Sequence, residues 1–116
     1  MMPFAMPAGP PLDPVDAAEA CDLLAAGAVL VDVREADEYA YTHVPGAHHI
    51  PLSRFPDGLD ELPRDREVLF ICHSGVRSAL AAAIARRCGL ARATNIRGGM
   101  LAWEDEDLPI ERREAA

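Results

Sequence analysis

The chain has no lysine: all eleven of its basic residues are arginine. That absence removes two classes of chemistry, since Schiff-base catalysis needs a lysine amine and a Walker-type phosphate loop needs a lysine ammonium. Cysteine is scarce too. Cys21, Cys72 and Cys88 are too few and too unevenly spaced for a disulfide framework, and none stands in a C-x-x-C or C-x-x-H pair that would suggest zinc. They fit a reducing compartment, and a cytoplasmic protein is expected. Positive charge is short overall, and a net charge of -8 argues against a nucleic-acid surface, which needs a dense basic patch. A small anionic ligand is still admissible, because an arginine a few ångströms away acts well inside the Debye length of about 8 Å at physiological salt. The stretch Met1 to Pro14 has no basic n-region and is broken by five prolines, so neither a signal peptide nor a membrane span is read there. Residues 1–13 are expected to be a disordered lead-in.

What is present fits one domain: 116 residues, half of them hydrophobic, can bury a real core. The domain is expected over 14–110, with a frayed tail over 111–116. Asp16-Ala17-Ala18-Glu19 has the form of a capping box and predicts a helix from Ala17 to about Ala26, ended by Gly27, with Cys21 on its packed face as inert core. Ala28 to Val33 is a β-branched apolar run and reads as a buried parallel strand. Asp32 and Arg34 stand at its carboxyl end, where they form either a structural ion pair that fixes the next segment or part of a reactive rim. A short polar helix is expected over Glu35 to Tyr41.

His43, His48 and His49 surround a Pro45-Gly46 turn, but the spacing H-x4-H-H matches no usual metal site; loop hydrogen bonding is the expected use, and no metal or cofactor is assigned. Ser53 to Leu62 suits a short, interrupted helical segment. Ala93 to Ile96 reads as a last strand, and Gly98-Gly99 before a helix near Met100 calls for close backbone approach or positive φ.

The most informative stretch is Val68 to Ser78. Val68-Leu69-Phe70-Ile71 is too short for a helix and reads as a buried strand, and the alanine-rich run Ala79 to Cys88 reads as a helix. Cys72 therefore stands at a strand's carboxyl end, before a helix N-terminus, where an α/β sheet binds ligands and backbone N–H groups are unpaired. His73, Ser74, Gly75, Val76, Arg77 and Ser78 supply amides for an anion nest. Gly75 permits the curl, Arg77 offers a planar fork to an oxyanion, and Ser78 caps the helix or donates to sulfur. Both a cationic neighbour and a helix N-terminus lower a thiol pKa. The residues alone also admit a buried cysteine followed by an ordinary turn.

Four blocks in order carry a resemblance. They are Val31-Asp32-Val33-Arg34-Glu35 with Glu38-Tyr39; His43 to Pro51; Cys72-His73-Ser74-Gly75-Val76-Arg77-Ser78; and Gly98-Gly99 with Trp103. With these, the chain resembles the single-domain rhodaneses, a sulfurtransferase family. The resemblance implies an α/β fold, a five-stranded parallel sheet with helices on both faces. It also implies that Cys72 takes a sulfane sulfur from a small anionic donor such as thiosulfate and passes it, as a persulfide, to cyanide or to a thiol acceptor, small molecule or protein. By similarity Asp32 and Arg34 support the pocket rim.

The related phosphatases carry Cys-x5-Arg, whereas Cys72 to Arg77 is Cys-x4-Arg, a shorter loop that suits a sulfane sulfur better than a phosphate or arsenate. A persulfide carrier or regulatory binding module is the alternative. It draws on His73, which stands where thiosulfate-using members often have Arg or Lys.

Overall fold

The computed structural model describes residues 13–113. Apart from Asp13, the expected lead-in lies outside the described residues, as do positions 114–116. Helix α1 (Ala17–Ala25) opens with the anticipated capping box: Asp16 Oδ1 accepts from the Glu19 N–H at 2.8 Å, and the Glu19 carboxylate accepts from the Asp16 N–H. Strand β1 (Val29–Asp32), helix α2 (Ala36–Tyr41), strands β2 (Thr42–His43) and β3 (His48–His49) follow, then two 3-10 turns over Leu52–Arg54 and Asp57–Glu61. Strand β4 (Val68–Ile71), helix α3 (Val76–Arg87), strand β5 (Ala93–Asn95), helix α4 (Gly99–Asp105) and strand β6 (Glu111–Arg112) complete the order.

The main sheet is parallel in the order β3-β1-β4-β5. Val15 extends it at the β5 edge by a one-residue parallel bridge to Ile96, and with that bridge the sheet has the expected five members. Alternation along the central strands sorts the core into two layers. Val29, Val31, Val68 and Phe70 face Ala81, Ala82 and Ala85 of α3 together with Leu59 and Leu62. Leu30, Leu69 and Ile71 face Ala17 and Ala20 of α1 and Met100 and Trp103 of α4. The alanines explain how α3 lies close to the sheet, and Trp103, 1% exposed, satisfies its indole N–H on the Pro109 carbonyl at 2.8 Å.

Two elements differ from expectation. Helix α3 begins at Val76 rather than Ala79, because Gly75 adopts φ 103° at the N-cap and turns the chain straight into the helix. The tail expected to fray from 111 instead starts with β6, which pairs antiparallel with β2 through Thr42↔Arg112 and His43↔Glu111. A two-residue pairing has no sequence periodicity that could announce it. Among the described residues, no helix is long and apolar enough to cross a membrane.

Candidate active site

Parallel pairing brings the carboxyl ends of three strands to one edge. Asp32 pairs with Ile71 and Phe70 with Asn95, so Cys72 emerges between the end of β1 and the end of β5. The Val33 N–H donates to the Ile71 carbonyl at 3.0 Å and the Ile96 N–H to the Phe70 carbonyl at 2.9 Å, fixing the strand to its last residue.

Beyond that point the loop's peptide groups are sorted by direction. The carbonyls of Cys72 and His73 turn away from the sulfur and accept the Met100 and Leu101 N–H groups of α4, at 2.8 and 3.1 Å. The amides turn inward. Cys72 Sγ, in a residue only 1% exposed, accepts the Gly75 N–H at 3.1 Å and the Ser78 hydroxyl at 3.3 Å. The Gly98-Gly99 turn makes this clamp fit: a Cβ on Gly99, whose φ is +54°, would stand 2.3 Å from the Cys72 carbonyl oxygen. The close approach anticipated from sequence is thus made to the Cys72 loop itself, a partner that sequence does not name.

Burial is the largest influence on the Cys72 thiol and pushes its pKa up. The Ser78 hydroxyl and the N–H groups of Ser78, Gly75 and Ser74 together outweigh it, and the net result lies below the ordinary thiol value. The donors to sulfur sit in the bend and first turn of α3, where backbone N–H groups have no helical partner.

His73, Ser74 and Val76 are exposed, Gly75 and Arg77 half-buried, and Ser78 fully buried. Arg77 does not present an empty fork. Its Nη1 and Nη2 donate to the two carboxylate oxygens of Glu38 on α2 at 2.7 and 2.9 Å. The Arg77 hydrogen bond dominates the Glu38 carboxyl, holding its pKa down at about 2 against burial. Glu38 was legible as part of a block but not as the partner of Arg77, because thirty-nine positions separate them.

Asp32 and Arg34 are sealed in. Arg34 Nε and Nη2 grip the Asp32 carboxylate, at 3.0 Å to Oδ1 and 2.8 Å to Oδ2, and Nη2 also reaches the Thr42 carbonyl at 2.6 Å. This pair clamps the segment after β1. The nearby histidines serve the same segment. Tyr39 is sandwiched between the rings of His43 and His49 at centroid distances of 4.0 and 4.4 Å, and His49 Nε2–H donates to the Arg34 carbonyl at 2.8 Å.

Asn95 is a site residue that sequence reasoning missed. Its Oδ1 lies within hydrogen-bond distance of the Ser78 hydroxyl, and its only sequence signal is a polar residue near the end of a short strand. Cys21 and Cys88, both half-buried free thiols, pack against opposite layers of the core.

The model of the rhodanese-like domain family matches residues 16–106. A sulfurtransferase of Allochromatium vinosum is 40% identical over 82 residues, covering 71% of this chain and 77% of that protein. The thiosulfate sulfurtransferase GlpE of Actinobacillus pleuropneumoniae serotype 3 is 36% identical over 85 residues, 73% of this chain and 79% of that one. Among solved structures, a rhodanese-related protein from Thermoplasma volcanium superposes with a TM-score of 0.80 at 28% identity, covering 89% of this chain and all of that one.

Proposed function

The chain belongs to the rhodanese-like domain family, and from that premise we propose that it is a sulfurtransferase acting through a persulfide on Cys72. One observation carries the reading: a buried sulfur that accepts the Gly75 N–H and the Ser78 hydroxyl, with the loop carbonyls held outward by α4. Such a cradle stabilises negative charge on sulfur, both in the attacking thiolate and in the terminal sulfur of a persulfide.

In the proposed reaction, the Cys72 thiolate attacks the outer sulfur of thiosulfate. An S–S bond to Cys72 forms, the bond to the sulfonate sulfur breaks, and sulfite leaves with the electron pair. Cyanide carbon or a thiolate acceptor then attacks the terminal sulfur, and the departing Cys72 thiolate is restored. No net redox change and no external electron source are needed. This is covalent, ping-pong catalysis. Arg77 anchors the sulfonate end of the donor after yielding part of its fork from Glu38, while Asp32 and Arg34 hold the rim in place.

The test is formation of thiocyanate from thiosulfate and cyanide. Cys72→Ala abolishes it, whereas Cys21→Ala and Cys88→Ala retain it. Release of phosphate from an aryl phosphate, or acceptance of a single sulfur atom without turnover, would overturn the reading in favour of a phosphatase or a carrier respectively.

A further inference from the structure

Ser78 sits fully buried between two acceptors. Its Oγ lies 3.3 Å from Cys72 Sγ and in a shorter hydrogen bond with Asn95 Oδ1. A serine hydroxyl has one proton to donate and two lone pairs to accept with. Two arrangements follow, one for each protonation state of Cys72. When Cys72 is a thiol, S–H donates to Oγ and O–H donates to Asn95 Oδ1. When Cys72 is a thiolate, its sulfur only accepts, the Ser78 proton must point to it, and Oγ and Oδ1 become two facing acceptors. A half-turn of the Asn95 carboxamide removes that conflict by bringing Nδ2–H to Oγ.

Asn95 is well placed for this role. Its strand position is paired to Phe70 on one side, and its carbonyl accepts the Val15 N–H at 2.9 Å on the other, so the carboxamide turns on an anchored backbone. We propose that Asn95 is a positioning residue whose carboxamide sets the direction of the Ser78 proton, and thereby matches the hydrogen-bond chain to the protonation state of Cys72.

Among the described residues, the charged and titratable groups near the thiol include Arg77 on α3, Glu38 on α2, which holds Arg77, Glu35 before α2, which also acts on Arg77, the exposed His73 within the loop, and the buried Asp32–Arg34 pair at the end of β1. The first turn of α4 brings no acidic residue. The Ser78 hydroxyl is the partner that the structure gives Asn95 Oδ1, so the proposed effect of Asn95 is routed through Ser78.

The proposal rests on Cys72 being the reactive thiol, but its test reads alkylation rather than sulfur transfer, so the two fail separately. The rate of Cys72 alkylation by iodoacetamide is followed against pH by peptide mass, which separates it from Cys21 and Cys88, with circular dichroism to verify folding. Asn95→Asp keeps the shape but can only accept, so it holds the Ser78 proton away from sulfur. The midpoint is expected to rise by about one pH unit, a tenfold loss of thiolate at fixed lower pH. In a Ser78→Ala background the same substitution is expected to shift the midpoint by less than half as much. Asn95→Leu, which neither donates nor accepts, gives an independent cycle with Ser78→Ala in which the shifts are expected to be non-additive. Equal Asn95→Asp shifts in both backgrounds, or additive shifts in the Asn95→Leu cycle, would overturn the proposal.

Discussion

Asp32–Arg34 and Glu38–Arg77 are both two-pronged arginine–carboxylate pairs near the carboxyl end of the sheet. The side chains of the first are 0% and 3% exposed, and those of the second about a third exposed. The difference decides what each can do. Every donor of Arg34 that the geometry reveals goes to Asp32 or the Thr42 carbonyl, so removing one partner would strand a charge in the core. The rim pair is wetted and screened, so exchanging Glu38 for a ligand anion costs little. Identical functional groups thus make a fixed clamp in one place and, in the proposed reaction, an exchangeable anchor in the other.

The largest effect expected from this contrast is on stability. Asp32→Ala should cost about 3–5 kcal/mol, lowering the melting temperature by roughly 15 °C or more in a thermal melt. A loss no greater than that of Glu38→Gln would erase the distinction. Next, Arg77→Ala should leave the fold intact and raise the KM for thiosulfate by about tenfold, equivalent to about 1.4 kcal/mol. Steady-state kinetics giving an unchanged KM would refute Arg77 as the anchor.

Glu38→Gln should act the other way. It removes the charge that occupies the fork, so the KM for thiosulfate is expected to fall by about two- to fivefold, with a stability change of less than about 1 kcal/mol. The smallest effect concerns acid. The folded pKa of Glu38, about 2, is depressed from 4.5, so its contribution is fully present above pH 4.5 and is lost as pH falls through 2. Stability measured over that window should decline less steeply in Glu38→Gln than in the parent.

Much of the fold around the candidate site was legible from residue order, because its parts obey local rules. Cys72 follows four buried apolar residues, Gly75 supplies the left-handed N-cap, and Asp16 and Glu19 cap α1. The start of α3 was misplaced by three residues because Val76 and Ser78 are modest helix formers, and the glycine's φ, not propensity, sets the start. What sequence did not disclose is what depends on distant pairing. Glu38 meets Arg77 across thirty-nine positions, Asn95 reaches Ser78 from a different strand, and Gly99 abuts the Cys72 carbonyl from the start of α4. These contacts follow from strand register and helix placement, which no short motif encodes.

The central claim is that Cys72 carries the transferred sulfur. Intact mass of the protein after thiosulfate, and again after cyanide, tests it most directly. The expected result is a gain of one sulfur atom that maps to the Cys72 peptide, disappears with cyanide as thiocyanate forms, and is absent in Cys72→Ala. Sulfur that persists on the Cys72→Ala protein, or that maps to Cys21 or Cys88, would contradict the account.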